Sequence, residues 1–181
     1  GGDPGCIGGG RAYRAGMHIV IVGAGEVGYH LADILSRDKH RVSVVDADPL
    51  KVQRMTEALD IQALLGDGTS AEMLTRAGTP KADLVVAVAN KDLVNMTACV
   101  VARNLGAKRV ILRLNDTTRF AGYRYFYKRT LGFDVELSTE ELATEEIIGI
   151  VREHHALEVE SFADGRVQLR RFRIREESEL T

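Results

Sequence analysis

The chain alternates short apolar runs with longer segments in which apolar residues recur at helical spacing. Residues 18–22 form the first run. The segment after them places Val27, Leu31, Ile34 and Leu35 on one helical face. Further strands are predicted at 41–45, 61–65, 84–89, 110–114 and 133–137. Because strands and helices alternate, we predict an α/β fold with a Rossmann-like, doubly wound parallel sheet.

Capping signals predict where several helices begin. Asp48 followed by Pro49 is typical of an N-cap and first helical residue, and that helix should run to about residue 59. Residues 69–72 resemble a capping box. Ser138 with Glu141 gives a second such signal, which predicts a crossover helix within residues 138–155.

Gly23-Ala24-Gly25-Glu26-Val27-Gly28 forms a G-x-G-x-x-G pattern directly after the first strand. We expect Gly23 to permit a tight turn, Gly25 to let a pyrophosphate approach the backbone, and Gly28 to allow close packing of the helix. Asp46 ends the second strand, 23 residues after Gly23, where a carboxylate can accept hydrogen bonds from ribose hydroxyls. The spacing therefore predicts a dinucleotide or nucleotide site.

Composition narrows the class of protein. The 181 residues are 45% hydrophobic, which is enough for a full core, and the net charge of −2 does not suggest nucleic-acid binding. Cys6 and Cys99 form neither a disulfide framework nor a metal site, and Cys99 fits a helical core position. No apolar run approaches the length of a membrane helix. A soluble, cytoplasmic protein fits these features.

We predict four segments. Residues 1–16 are glycine-rich and are expected to be a disordered extension or an expression remnant. Residues 17–137 form the nucleotide-binding domain and 138–155 the crossover helix. In the last segment, 156–181, two strands flank an Ala-Asp-Gly turn, which predicts a β-hairpin that starts a second, incomplete subdomain.

An aromatic and basic run at residues 123–128 leaves two readings open. Such rings can stack on the bases of a nucleic acid. Because the chain has no basic excess, we favour a helix that packs its rings on the sheet or on a partner subunit.

Longer segments carry a family resemblance: IVIVGAGEVGYHLADIL, VVDADP, GDGTSAEML, the D-x-x-N-M of residues 92–96, and the closing EVESFADGRV. Over roughly residues 17–174 the sequence resembles the TrkA family, the cytosolic regulatory subunits of bacterial and archaeal potassium uptake systems. These subunits are built from RCK (KTN) domains. The closing hairpin resembles the start of the family's C-terminal subdomain.

The resemblance implies a role for each matching position. The segment matching Gly23, Ala24, Gly25, Glu26 and Val27 holds the pyrophosphate of NAD(H), and the acid matching Asp46 holds the ribose. The positions matching Asp67 and Gly68 close the adenine pocket, and those matching Ala89 and Asn90 line the nicotinamide side. The arginine matching Arg113 contacts the ligand from the fifth strand.

The resemblance also implies the partners: a membrane potassium-translocating subunit and further copies of the chain, as a homodimer or larger assembly. The protein would then be peripheral to the inner face of the cell membrane. In the predicted crossover helix, Leu142, Ile147 and Ile150 recur at near-helical spacing and suggest a face that crosses onto a neighbouring subunit.

Two other functions remain as alternatives: a fragment of an NAD-dependent oxidoreductase, and an RCK domain that senses ATP or ADP. An oxidoreductase needs a proton donor near the nicotinamide. Tyr123 and Lys128 are five residues apart rather than four, and the histidines are predicted away from the carboxyl ends of the strands. We therefore expect a ligand-sensing module with no catalytic residues and no metal site.

Overall fold

The computed structural model describes residues 16–116, 120–138, 147–149, 156–162 and 167–172. Six strands form one parallel sheet in the order β3-β2-β1-β4-β5-β6. They are β1 (His18–Val22), β2 (Arg41–Asp46), β3 (Gln62–Leu65), β4 (Leu84–Ala87), β5 (Val110–Arg113) and β6 (Val135–Leu137). The predicted Rossmann-like, doubly wound fold is confirmed.

Helices join successive strands and cover both faces of the sheet. They are α1 (Glu26–Arg37), α2 (Pro49–Ala58), α3 (Ala71–Arg76), α4 (Asp92–Leu105) and α5 (Arg124–Leu131). The side chain of Asp48 caps α2, as predicted. The capping box at residues 69–72 was placed one residue too early, because the hydroxyl of Ser70, not of Thr69, accepts from the backbone of Met73.

Apolar side chains form two cores, one on each face of the sheet. In β1, Ile19 and Ile21 enter one core and Val20 and Val22 enter the other, as the twofold period of a strand requires. Cys99 is fully buried in the second core, as predicted, and burial raises the pKa of its thiol to about 12.

The amino ends of β1 and β2 carry a polar cluster, on the edge of the sheet opposite the glycine turn, in which His18 and Ser43 are buried and Arg41 is exposed. The ring of His18 lies 3.4 Å from the hydroxyl of Ser43 and 2.9 Å from the guanidinium of Arg41. Burial, and then the charge of Arg41, lowers the pKa of His18 below its ordinary value. This histidine is therefore a structural residue, far from the carboxyl ends of the strands, as the sequence predicted.

The aromatic run forms part of α5, but most of its rings face outward. Tyr127 stacks on Phe120 with ring centroids 4.3 Å apart and packs against the core. Tyr123, Tyr125 and Phe126 are 69%, 80% and 58% exposed. The expectation that the rings pack on the sheet is therefore wrong for these three, and their packing on a partner subunit stays a prediction.

The C-terminal elements are described only in part. Strands β7 (Ala156–Phe162) and β8 (Val167–Phe172) pair in antiparallel fashion, which confirms the predicted hairpin, although its turn lies outside the described residues. Residues 147–149 are helical. Ile147 is fully buried in the core of its own chain, so it cannot face a neighbouring subunit as predicted. Leu142 and Ile150, and the segment 1–15, lie outside the described residues.

Candidate functional site

The strand order places a crevice at the carboxyl ends of β1 and β4. Chain progression runs from β1 through β2 to β3 in one direction and from β4 through β5 to β6 in the other. Loops leaving β1 and β4 therefore diverge to opposite faces of the sheet, and such a switch point is where open α/β sheets bind ligands. The predicted site residues all lie at this edge, either as the last residue of a strand or in the loop or helix start that follows one.

Gly23 makes the turn out of β1 in a conformation that residues with a Cβ rarely adopt. Its φ is +110°, and a Cβ here would lie 2.7 Å from the amide nitrogen of Ala89. The N–H of Gly23 donates to the carbonyl of Val45 at 2.9 Å. At Gly28 a Cβ would lie 1.9 Å from the carbonyl oxygen of Gly23. The turn is thus packed tightly between β2, β4 and α1.

The amino end of α1 opens directly from this turn. The helix begins at Glu26, within the glycine pattern, with Gly25 as the N-cap and the Tyr29 N–H donating to the Gly25 carbonyl at 2.8 Å. In the described part of the chain no side chain caps this end. The N–H groups of a first helical turn have no partner within the helix and favour an anion. The side chain of Glu26 is exposed beside them, and those of Ala24 and Val27 are buried.

Asp46, at the end of β2, is bonded to the glycine turn. One carboxylate oxygen accepts from the N–H of Ala24 at 2.6 Å, and the other accepts from the N–H of Asp48 at 2.8 Å. Each carboxylate oxygen can accept more than one hydrogen bond, so acceptance from ribose hydroxyls remains open to both. Asp46 therefore fixes the turn as well as presenting a negative charge beside it.

The loop after β3 reaches the same edge of the sheet. Gly68 is buried, and a Cβ there would lie 2.3 Å from a methyl carbon of Val22, the last residue of β1. Asp67 is exposed, and its carboxylate accepts from both the N–H and the hydroxyl of Thr69 at 2.8 Å. The backbone bond and then the hydroxyl bond lower the pKa of Asp67. Its carboxylate shapes the loop on the side where an adenine pocket was predicted.

The loops after β4 and β5 form the opposite side. Ala89 is half-buried against Gly23, and the side-chain oxygen of Asn90 lies 3.5 Å from the position of a Cβ on Gly25. The side chain of Arg113 is buried and donates to the side-chain oxygen of Asn115 at 2.7 Å. The structure therefore brings Ala89, Asn90 and Arg113 to one end of the sheet, next to the glycine turn.

Sequence reasoning missed two residues that organise this side. Asn95 is completely buried, and Asp92 accepts hydrogen bonds from the loop after β5. Both belong to the D-x-x-N-M segment, which was noted only for its resemblance to a family. Helical spacing places Asn95 on the buried face of α4. A polar residue on that face was the signal that sequence reasoning could have used.

The parallel sheet, its glycine turn and the acid that ends β2 define a Rossmann-like domain. The chain belongs to the TrkA-N domain family, whose sequence pattern matches residues 19–138.

Comparison with individual proteins gives the same relationship. The Trk system potassium uptake protein TrkA of Halomonas elongata is 36% identical over 154 residues, which are 84% of this chain and 34% of that protein. The chain thus spans about a third of the length of this relative.

Solved structures share the fold at lower identity. The TrkA-N domain of the inner membrane protein ybaL from Escherichia coli matches with a TM-score of 0.60 at 19% identity, over 74% of this chain and 95% of that chain. A GsuK channel bound to NAD matches with a TM-score of 0.57 at 19% identity, over 69% of this chain and 22% of that chain. Among the described residues, no helix is both long and apolar enough to cross a membrane.

Proposed function

We propose that this chain is a ligand-sensing regulatory module that binds NAD(H) at the β1–β4 crevice and controls a membrane potassium-translocating subunit. Occupancy of the crevice shifts the equilibrium between arrangements of the module, and the transport subunit responds to that shift. The module acts from the cytoplasm, at the inner face of the membrane, and has no catalytic residues.

The observation that carries the binding part is the convergence of three elements on one turn. Gly23 packs on the backbone of Ala89, Asp46 accepts from the N–H of Ala24, and the uncapped amino end of α1 lies between them. An anion at the helix end and a ribose at the carboxylate suit this geometry. The regulatory part is supported by membership of the TrkA-N family and by the potassium uptake protein among the relatives.

NAD(H) is favoured over the alternatives by the extent of the crevice. Site residues lie at or just after the carboxyl ends of β1, β2 and β3 on one side and of β4 and β5 on the other, which provides for two nucleotide halves. The structural neighbour bound to NAD supports this choice, while another GsuK structure bound to ADP keeps the ATP/ADP-sensing alternative in the test. An oxidoreductase would need a proton donor at the far half, where the sequence offers no Tyr-x-x-x-Lys pair.

Titration calorimetry on the purified chain with NAD⁺, NADH, ATP and ADP tests the proposal. We expect saturable binding of NAD⁺ or NADH, with no consumption of NADH when small carbonyl compounds are added. Binding of ATP or ADP alone would establish the nucleotide-sensing alternative, and steady oxidation of NADH would establish the oxidoreductase.

Glu26 should make the site prefer NADH to ATP by at least about tenfold. Its carboxylate lies at the first turn of α1, where the terminal phosphate of ATP would bring additional negative charge. Two unit charges about 4 Å apart repel by about 4 kcal/mol at an effective dielectric of 20, and solvent around this exposed side chain reduces that value. Glu26→Arg should narrow or reverse the preference, as measured by competition at fixed ionic strength without Mg²⁺.

Glu72→Arg is the matched control for this prediction, because Glu72 is also an exposed acid in the first turn of a helix, α3. It should leave the ratio of affinities unchanged. Equal affinities of the unmutated chain for ATP and NADH would contradict the role of Glu26.

The chain should form a homodimer or a larger assembly in solution. A regulatory module transmits its signal between copies, and the exposed Tyr125 and Phe126 on α5 are apolar surface of the kind that interfaces cover. Light scattering at micromolar concentration should give at least twice the 19.9 kDa of one chain. A monomeric mass across that concentration range would show that the prediction is wrong.

A further inference from the structure

The amino end of α4 carries two polar side chains that bind the loops of two different strands. We propose that Asp92 and Asn95 are positioning residues which hold the far half of the crevice in shape and so determine whether the site accepts a dinucleotide or only a mononucleotide. This inference rests on the proposed function and assigns the determinant of ligand size to residues outside the glycine turn.

Both polar atoms of the Asn95 amide are hydrogen-bonded to backbone groups. Its side-chain oxygen accepts from the N–H of Ala89 at 2.7 Å, and its side-chain nitrogen donates to the carbonyls of Ala89 at 2.8 Å and Arg113 at 3.0 Å. The residue is fully buried, so removing its amide would leave these backbone groups without the partners that it supplies. One side chain therefore joins the exit of β4 to the end of β5.

Asp92 and Asn115 add further hydrogen bonds between the loops that follow β4 and β5, on the side that faces solvent. One oxygen of Asp92 accepts from the N–H and the side-chain nitrogen of Asn115 at 2.9 and 2.8 Å, and the other accepts from the N–H of Asp116 at 3.2 Å. Asn115 in turn donates to the carbonyl of Asn90 at 2.9 Å and accepts from Arg113 at 2.7 Å. The network thus fixes the three residues predicted for the far half, Ala89, Asn90 and Arg113.

The near half of the crevice is held by different contacts. The glycine turn is positioned by hydrogen bonds to Val45 and Asp46, and Gly68 packs on Val22. The two halves approach each other where the backbone of Ala89 packs on Gly23 and where the side chain of Asn90 lies near Gly25. Loosening the network should therefore displace the surface for the second nucleotide while leaving the phosphate and ribose contacts of the first in place.

The test compares AMP, which needs only the near half, with NADH, which needs both. Titration calorimetry is run on the unmutated chain and on Asn95→Ala and Asn115→Ala. Asn115 is exposed, so its variant tests the network even if loss of the buried amide prevents folding. Asn104→Ala is the matched control: Asn104 is an exposed asparagine at the other end of α4, and its side chain donates to the carbonyl of Val100 within the same helix.

We expect Asn95→Ala to lose about tenfold or more in affinity for NADH, since three hydrogen bonds are removed, while affinity for AMP changes by less than about twofold. Asn115→Ala should give a smaller loss of the same selective kind, and Asn104→Ala none. Equal losses for AMP and NADH, or no loss for either ligand, would overturn the inference while leaving the proposed function standing. If the unmutated chain binds neither ligand, the proposed function fails and the inference fails with it.

Discussion

Replacing Asp46 with alanine should weaken NADH binding by roughly 1.5–3 kcal/mol, the range for hydrogen bonds to a charged group. The carboxylate is expected to accept from both ribose hydroxyls, and it already accepts from the N–H of Ala24 in the glycine turn. Its removal therefore takes away ligand contacts and also releases the turn. Titration calorimetry on the folded variant measures the loss, and the same charge should disfavour NADP(H), whose 2′-phosphate would lie beside the carboxylate.

Asp48→Ala is the control for this change. Asp48 lies two residues away and caps α2 through the N–H of Leu50, at 2.9 Å. Its loss should lower the free energy of unfolding by about 1 kcal/mol, as for other N-caps, and leave NADH affinity unchanged. An Asp46→Ala variant that binds NADH as tightly as the unmutated chain would exclude the ribose role.

Gly23→Ala should lower the free energy of unfolding by about 2–5 kcal/mol. The backbone conformation, with φ of +110°, costs a residue with a Cβ about 1–2 kcal/mol, and overpacking against the backbone of Ala89 adds about 1–3 kcal/mol. Denaturation in urea measures the loss. Because the turn itself must shift to make room, the variant should also lose NADH binding under conditions where it remains folded.

Gly106→Ala separates the two causes. Gly106 has nearly the same φ, +104°, but the nearest atom to its added Cβ is the carbonyl oxygen of Pro80 at an ordinary 3.7 Å. This control should show only the conformational cost of about 1–2 kcal/mol and keep NADH binding. Equal destabilisation by the two substitutions would show that the contact between Gly23 and Ala89 is not tight.

The strands were predictable because central parallel strands, covered on both faces, are apolar along their whole length. The run at residues 84–89 is an example, although pairing ends at Ala87 where the loop to α4 begins. The start of α1 was not predictable in the same way. The apolar face that starts at Val27 predicts a helix but not its first residue, and the structure begins the helix at Glu26, inside the glycine pattern.

The site was predictable where it depends on short-range sequence, and not where it depends on contacts between distant strands. The glycines and Asp46 follow a spacing that a single β-α-β unit imposes. The role of Asn95 depends on the carbonyl of Arg113, 18 residues away, and no local pattern reveals that contact. Ile147 was predicted to face another subunit, but it is buried in the core of its own chain. An apolar stripe at helical spacing does not distinguish packing on the same chain from packing on a neighbouring subunit.

Hydrogen–deuterium exchange of the unmutated chain with and without saturating NADH tests most directly the claim that NAD(H) occupies the β1–β4 crevice. Slower exchange is predicted in peptides that contain residues 23–28 and in those that contain residues 89–90, on the two sides of the switch point. Peptides from the opposite edge, around His18 and Ser43, should exchange at the same rate in both states. Unchanged exchange in the glycine turn, or protection confined to another surface, would contradict the account.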